Sequence, residues 1–175
     1  MIRRNILLAL LILSLISCQS KKAKHLNTVL GSAERTVFNM MAGKNGLNEK
    51  KLKCVIDGDF KCALQVVDEE ERAFNQIINK INAVETNDIK YGNALKKVAI
   101  SYYEAVKQLE IFDRHEIAIQ QLSQNKANTV QLRDNAIAKQ GQLLKYKSEM
   151  HKLINKREKQ LSEIQKRFNS VNHLD

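Results

Sequence analysis

Apolar residues return every three or four positions through most of this chain, and short polar stretches interrupt that rhythm. Leu26, Val29, Leu30, Ala33, Val37, Met40 and Met41 fall at helical spacing, and Gly43 and Gly46 then close a first helix. Residues 47–54 read as one further turn or two. Ala63, Val67, Glu70, Phe74, Ile77, Ile81 and Val84 alternate four and three, with only Glu70 off-pattern, and predict a helix over about 61–85. Thr86, Asn87 and Asp88 are capping types, so a break and a new start are expected there. The next helix carries Leu95, Val98, Tyr102, Ala105, Leu109 and Phe112 on one stripe; Ile119 rejoins it after Glu116 interrupts. In this pattern Tyr102 faces the core and Tyr103 reads as a surface residue. Residues 123–128 are polar and predict a turn. A last helix over about 129–171 follows, with Met150, Ile154, Arg157, Leu161, Ile164, Phe168 and Val171 at heptad-like spacing.

The expected fold is therefore all-α: an antiparallel helical bundle of about four helices with a long coiled-coil-like C-terminal hairpin that projects past the first two helices. The competing arrangement fuses the last two helices into one rod. That rod would need partners in another chain, because Lys126 and Arg133 would sit on its seam. Composition agrees with the helical reading, since proline and tryptophan are absent and glycines number only 6. Nothing in the sequence calls for a sheet, and no internal repeat stands out.

The amino terminus carries a different pattern. Met1-Ile2-Arg3-Arg4 is a short positive start, an apolar run follows from Ile6 to Leu13, and Ser14-Leu15-Ile16-Ser17 leads to Cys18. A spanning helix needs roughly 20 apolar residues; this stretch is shorter, and Gln19, Ser20, Lys21 and Lys22 come directly after it. The layout is that of a secretory signal. Leu15-Ile16-Ser17-Cys18 resembles the lipobox of bacterial lipoproteins: an aliphatic residue, a variable one, a small one, then cysteine. The resemblance covers about twenty residues and implies a processing class, with residues 1–17 removed, diacylglycerol on Cys18, and residues 18–24 as a lipidated tether before a single helical domain over 25–175. It further implies a cell-envelope address. Gln19 in place of aspartate favours the outer membrane over the inner one. Two or more acyl chains hold a protein stably on a bilayer, where one holds it only marginally. The open alternative is an ordinary signal peptide with an incidental cysteine.

With Cys18 set aside, Cys54 and Cys62 form the one remaining pair. Eight residues apart on a straight helix they would lie ~12 Å from each other, too far for a bond whose Cα atoms lie within about 7 Å. A disulfide therefore needs the chain to turn between them, and Asp57-Gly58-Asp59 is a turn signal in that place. An exported protein is where such a bond persists; the other reading is two unpaired small hydrophobes.

Charge is unevenly spread. The whole chain carries +10, while residues 19–56 hold 8 basic against 2 acidic side chains, residues 57–125 hold 8 against 12, and residues 126–175 hold 11 against 5. An internal account pairs basic outer helices with acidic middle ones across solvated faces. A functional account sends the positive surplus to a polyanion such as lipid headgroups, envelope polymers or host surfaces. Nucleic acid fits less well, because no recognition helix, finger or aromatic-rich motif accompanies the charge.

Catalytic and metal patterns are missing from the sequence. His115-Glu116 opens like a zinc-protease motif, but position 119 is Ile. No glutamate has a histidine three residues on, as di-iron bundles require. Asp57-Gly58-Asp59 lacks the further oxygens of a calcium loop, and Asp68-Glu69-Glu70-Glu71 reads as exposed acid near a helix start. His25, His115, His151 and His173 are scattered. The expectation is a non-enzymatic module with no cofactor beyond covalent lipid. Its partners would be the membrane through the anchor, another envelope protein, or further copies of itself.

Overall fold

The structure, a computed structural model, describes residues 2–174, with side chains from residue 21 onward. The side chains of the expected leader over residues 1–17 and of Cys18 lie outside the part so described. Among the described residues the elements are five helices: α1 (Ile2–Met41), α2 (Leu47–Ile56), α3 (Phe60–Asn82), α4 (Gly92–Gln124) and α5 (Val130–Asn172). Among the described residues there is no strand, and no helix is long and apolar enough to cross a membrane.

Local chemistry explains most of the boundaries. Gly46 sits where an added Cβ would lie 2.6 Å from the carbonyl oxygens of both Asn39 and Met40, so the chain passes close under the end of α1. The Asn45 amide donates to Glu49 at 2.7 Å, which ties that corner to α2. Asp59 caps α3 by accepting from the Cys62 amide at 2.9 Å, and Gly58 supplies the left-handed φ of +74° that the reversal between α2 and α3 needs. Thr129 caps α5 through the Leu132 amide at 3.3 Å.

Two expectations are corrected. The piece over 47–54 is a ten-residue helix, α2, so the helices number five among the described residues. Residues 21–24 are helical, and Ala23 is fully buried because it extends the Leu26–Leu30–Ala33 stripe by one turn. The break after α3 falls where expected, but Thr86, Asn87 and Asp88 do not cap α4, which begins at Gly92. Thr86 is instead 3% exposed, and its hydroxyl donates to the Asn93 side chain.

The main core joins Leu26 and Leu30 of α1, Phe74 and Ile81 of α3, Leu95, Ala99 and Tyr103 of α4, and Phe168 of α5. A second cluster packs Cys54 of α2 with Ala63, Val66 and Val67 of α3 and Ile117 of α4. α4 is central and therefore has two inward faces. The stripe read from the sequence is buried at Leu95, Ala105 and Leu109 and half-buried at Val98, Tyr102 and Phe112. A second stripe through Ala99, Tyr103, Val106, Glu110 and Ile117 is buried. Tyr103 is thus 4% exposed rather than at the surface, with the Tyr102 ring edge-on at 5.1 Å.

Residue pairs set the directions of the helices. Lys147 reaches Asp113 at 2.9 Å, Tyr146 stacks on Phe112 at 4.3 Å, Arg157 donates to the Ser101 carbonyl, and Asn172 donates to the Lys90 carbonyl at 3.0 Å. α4 and α5 therefore run antiparallel as a hairpin, not as one rod. Lys22 pairs with Asp88 at 3.1 Å and Asn27 with Asn169 at 2.9 Å. The described side chains of α1 thus begin at the end of the body where α3 finishes, α4 starts and α5 finishes. At the other end, Ile117 is the last α4 residue buried against α2 and α3. Beyond it the hairpin continues alone, and from residue 118 to 143 only Ala136 is buried.

Candidate functional site

Two features stand apart from ordinary core packing: a buried ion cluster where α2, α3, α4 and α5 meet, and the uncovered length of the hairpin. The cluster centres on Lys51 of α2, which is 7% exposed. Its Nζ lies 2.8 Å from Glu70 of α3, 3.2 Å from Glu110 of α4 and 2.6 Å from Asp113 of α4. Lys147 of α5 extends the network, at 2.9 Å from Asp113 and 2.6 Å from Glu116. Two ammonium groups thus face four carboxyl groups, and Glu70 and Glu110 are nearly inaccessible to water.

Burial and pairing act in opposite directions here. Burial pulls the Lys51 pKa down, but the charges of Glu110 and Asp113 and the hydrogen bonds with Asp113 and Glu70 outweigh it, so the ammonium is held charged. Burial pushes Glu70 up to about 7, against the lowering effect of Lys51. Glu110 is raised for the same reason. Asp113 feels burial too, yet the Lys51 charge and the bonds from both lysines hold it below the usual aspartate range.

Glu70 was read in the sequence as part of an exposed acidic run. The structure divides that run: Asp68 and Glu71 grip Arg114 of α4 at 2.7 and 2.5 Å, Glu69 pairs with Lys50, and Glu70 turns inward to 2% exposure. Its place on the four-three stripe of α3 was the signal, since that stripe faces the core and a carboxyl group there needs a partner. Lys51 had no such signal; it became central only when α2 formed and its face met α3 and α4.

Cys54 and Cys62 come together as a disulfide, with S–S 2.02 Å and Cα atoms 5.7 Å apart across the Asp57–Asp59 reversal. His25, His115, His151 and His173 share no cluster. Among the described residues no group of His, Cys, Asp or Glu could hold a metal ion; the place a cation would take between Glu70, Glu110 and Asp113 is filled by Lys51.

Beside the ion cluster a groove of about 540 Å³ opens between α2 and α4, lined by Leu52, Val55, Asp113, Glu116, Ile117 and Gln120 among others. The hairpin beyond it exposes Val130 at 64%, Ile137 at 55% and Leu144 at 66%, with Leu122 and Leu132 also exposed. No family model matches the chain, and no curated protein or solved structure matches it either.

Proposed function

We propose that the chain is a lipid-anchored bacterial envelope protein, processed before Cys18, that works without catalysis by presenting its α4–α5 hairpin to a protein partner. The hairpin is the long coiled-coil-like arm of an antiparallel bundle in this reading. The observation that carries the contact role is the exposure of Val130, Ile137 and Leu144 on the part of α5 that the body leaves uncovered. Large apolar side chains that repeat on one face of a solvent-facing helix are the ordinary mark of a docking surface. The anchor rests on the leader and on Leu15-Ile16-Ser17-Cys18.

The geometry gives the anchor a use. The described part of α1 starts at one end of the body, and the hairpin tip lies at the opposite end, so lipid at Cys18 would hold the body with the arm pointing away from the bilayer. The envelope address, with the outer membrane favoured by Gln19, belongs to this proposal. Two measurements test it. Cys18→Ser is expected to move the protein from the membrane fraction to the soluble one; retention in the membrane fraction refutes the anchor. For the arm, the photo-crosslinker benzoyl-phenylalanine at position 137 is expected to give a protein adduct in cells, and its absence refutes the contact role.

A second reading has its own observation. Lys145, Lys152, Lys156 and Lys159 are exposed on α5, a basic strip suited to anionic envelope polymers, lipids or host surfaces. Binding of that kind weakens steeply as salt rises, whereas an apolar contact barely changes.

A further inference from the structure

A cleft of about 370 Å³ opens on the body between α1, α4 and α5. Leu30 and Glu34 of α1 form one wall, Glu158 and Leu161 of α5 the other, and Tyr102 and Tyr103 of α4 the floor. The chain holds 29 basic against 19 acidic side chains, yet the two carboxylates of this cleft stand alone. Neither Glu34 nor Glu158 has a Lys or Arg three or four residues away on its own helix. Among the described residues neither makes an ion pair or a hydrogen bond. The cation that lines the cleft is Lys166, about two turns or ~12 Å along α5 from Glu158.

Helix register brings the acidic and aromatic groups to one end. Asn27 of α1 donates to Asn169 of α5, and the two helices run antiparallel. Glu34 therefore falls level with Ser162, and Glu158 lies about one turn further, ~6 Å along the cleft. Arg157 donates to the Ser101 carbonyl, which brings Tyr102 beside Glu158. The two tyrosine rings meet edge-on at 5.1 Å. Tyr103 is 4% exposed and lines the cleft, and its hydroxyl has no hydrogen-bond partner among the described residues. A buried hydroxyl ordinarily finds a partner, and here the cleft is where one can stand. Burial raises both tyrosine pKa values. Glu158 and Glu34 raise Tyr102 further, and Tyr102 and Glu34 raise Tyr103 further, so both hydroxyls sit in a negative field.

Unpaired carboxylates above an aromatic floor attract an organic cation, and leucine walls favour its methylenes. Two carboxylates on facing helices, a turn apart, select a cation with two charges over one with a single charge. A metal ion fits less well, since no group of His, Cys, Asp or Glu among the described residues could hold one. We propose that this cleft binds a short aliphatic diamine, with one ammonium between Glu158 and the tyrosine pair, the other at Glu34, and the methylenes against Leu30 and Leu161. The Tyr103 hydroxyl accepts a hydrogen bond from the first ammonium. The site lies in the body, so it stands or falls independently of the anchor and of the arm.

Titration calorimetry of the full-length chain in detergent, at fixed ionic strength, tests this with putrescine, a butane chain with an amine at each end. Saturable one-to-one binding is expected, and butylamine, with a single amine, should bind roughly tenfold more weakly. Glu34→Gln and Glu158→Gln, both at exposed positions, should each weaken putrescine binding by roughly tenfold. Glu163→Gln removes the same charge from an exposed position of α5 outside the cleft and should leave binding unchanged. Tyr103→Phe keeps the ring and should cost about threefold in affinity. Lys166→Gln removes a like charge and should tighten binding about twofold. The proposal is overturned by absence of saturable binding, or by butylamine binding as tightly as putrescine. Equal loss in all three Glu→Gln variants overturns it too, because it would show attraction to net charge alone. Weaker binding by Lys166→Gln also overturns it, because the ligand would then carry an anionic end.

Discussion

The body and the projecting hairpin follow the same three-four repeat, yet they bury their residues to very different degrees. In the body α4 has neighbours on two sides, so a second stripe of Ala99, Tyr103, Val106 and Ile117 is covered as well as the first. In the hairpin α4 and α5 have only each other, and a single seam is half-covered while the flanks face water. Helical periodicity specifies that a residue has a preferred face. Whether that face is buried depends on how many helices reach that level of the bundle.

The difference can be sharpened by mutation, beginning with the ion cluster. Lys51→Met removes the ammonium that touches Glu70 and Glu110 and leaves both acids buried, so chemical denaturation should show a loss of roughly 3–5 kcal/mol. A loss below about 1 kcal/mol would mean that water reaches the cluster and the body is looser than its packing indicates. Replacing the disulfide with Cys54→Ser and Cys62→Ser together should cost about 2.5 kcal/mol, from the entropy of a short closed loop. The loss should fall on the α2–α3 corner, readable by hydrogen exchange, with the hairpin unchanged.

Glu70 makes a prediction about pH. Its pKa rises from 4.5 to about 7 in the folded state, so the folded chain binds more protons than the unfolded one between those values. Its contribution to stability therefore declines as pH rises through that window and stays low above it. Glu110, also raised, adds in the same direction, whereas Asp113, held low by Lys51 and Lys147, loses its stabilising effect only as pH falls below the ordinary aspartate range. Glu70→Gln should flatten the decline and gain on the order of 1–2 kcal/mol at pH 8 relative to pH 4.5. An unchanged pH profile would show that Glu70 is not the group that titrates. The smallest effect belongs to the hairpin: Ile137→Ser should shift the stability of the isolated monomer by no more than about 0.5 kcal/mol. A larger loss would place that side chain in a core and abolish the contrast.

Much of the architecture was legible along the chain. The stripes at 26–41, 61–85 and 129–171, the reversal between Cys54 and Cys62, and the polar break at 123–128 all mark elements that exist, because amphipathic spacing and turn residues act locally. Boundaries were less legible: α4 starts at Gly92 rather than at Thr86-Asn87-Asp88, since Thr86 found a buried partner in Asn93. The short α2 was underestimated because ten residues span too few turns for a repeat to show.

What the sequence determined by itself is the class of the fold and the faces that α1 and α3 turn inward, since both follow from the repeat distance of a helix and the cost of exposing apolar surface. Only the tertiary structure decided that Tyr103 is buried, that Lys51 is the partner Glu70 meets among three carboxyl groups, and that Val130, Ile137 and Leu144 are left uncovered. Those outcomes depend on which helices lie side by side and where each one stops, and that is a property of packing at a distance rather than of any local pattern.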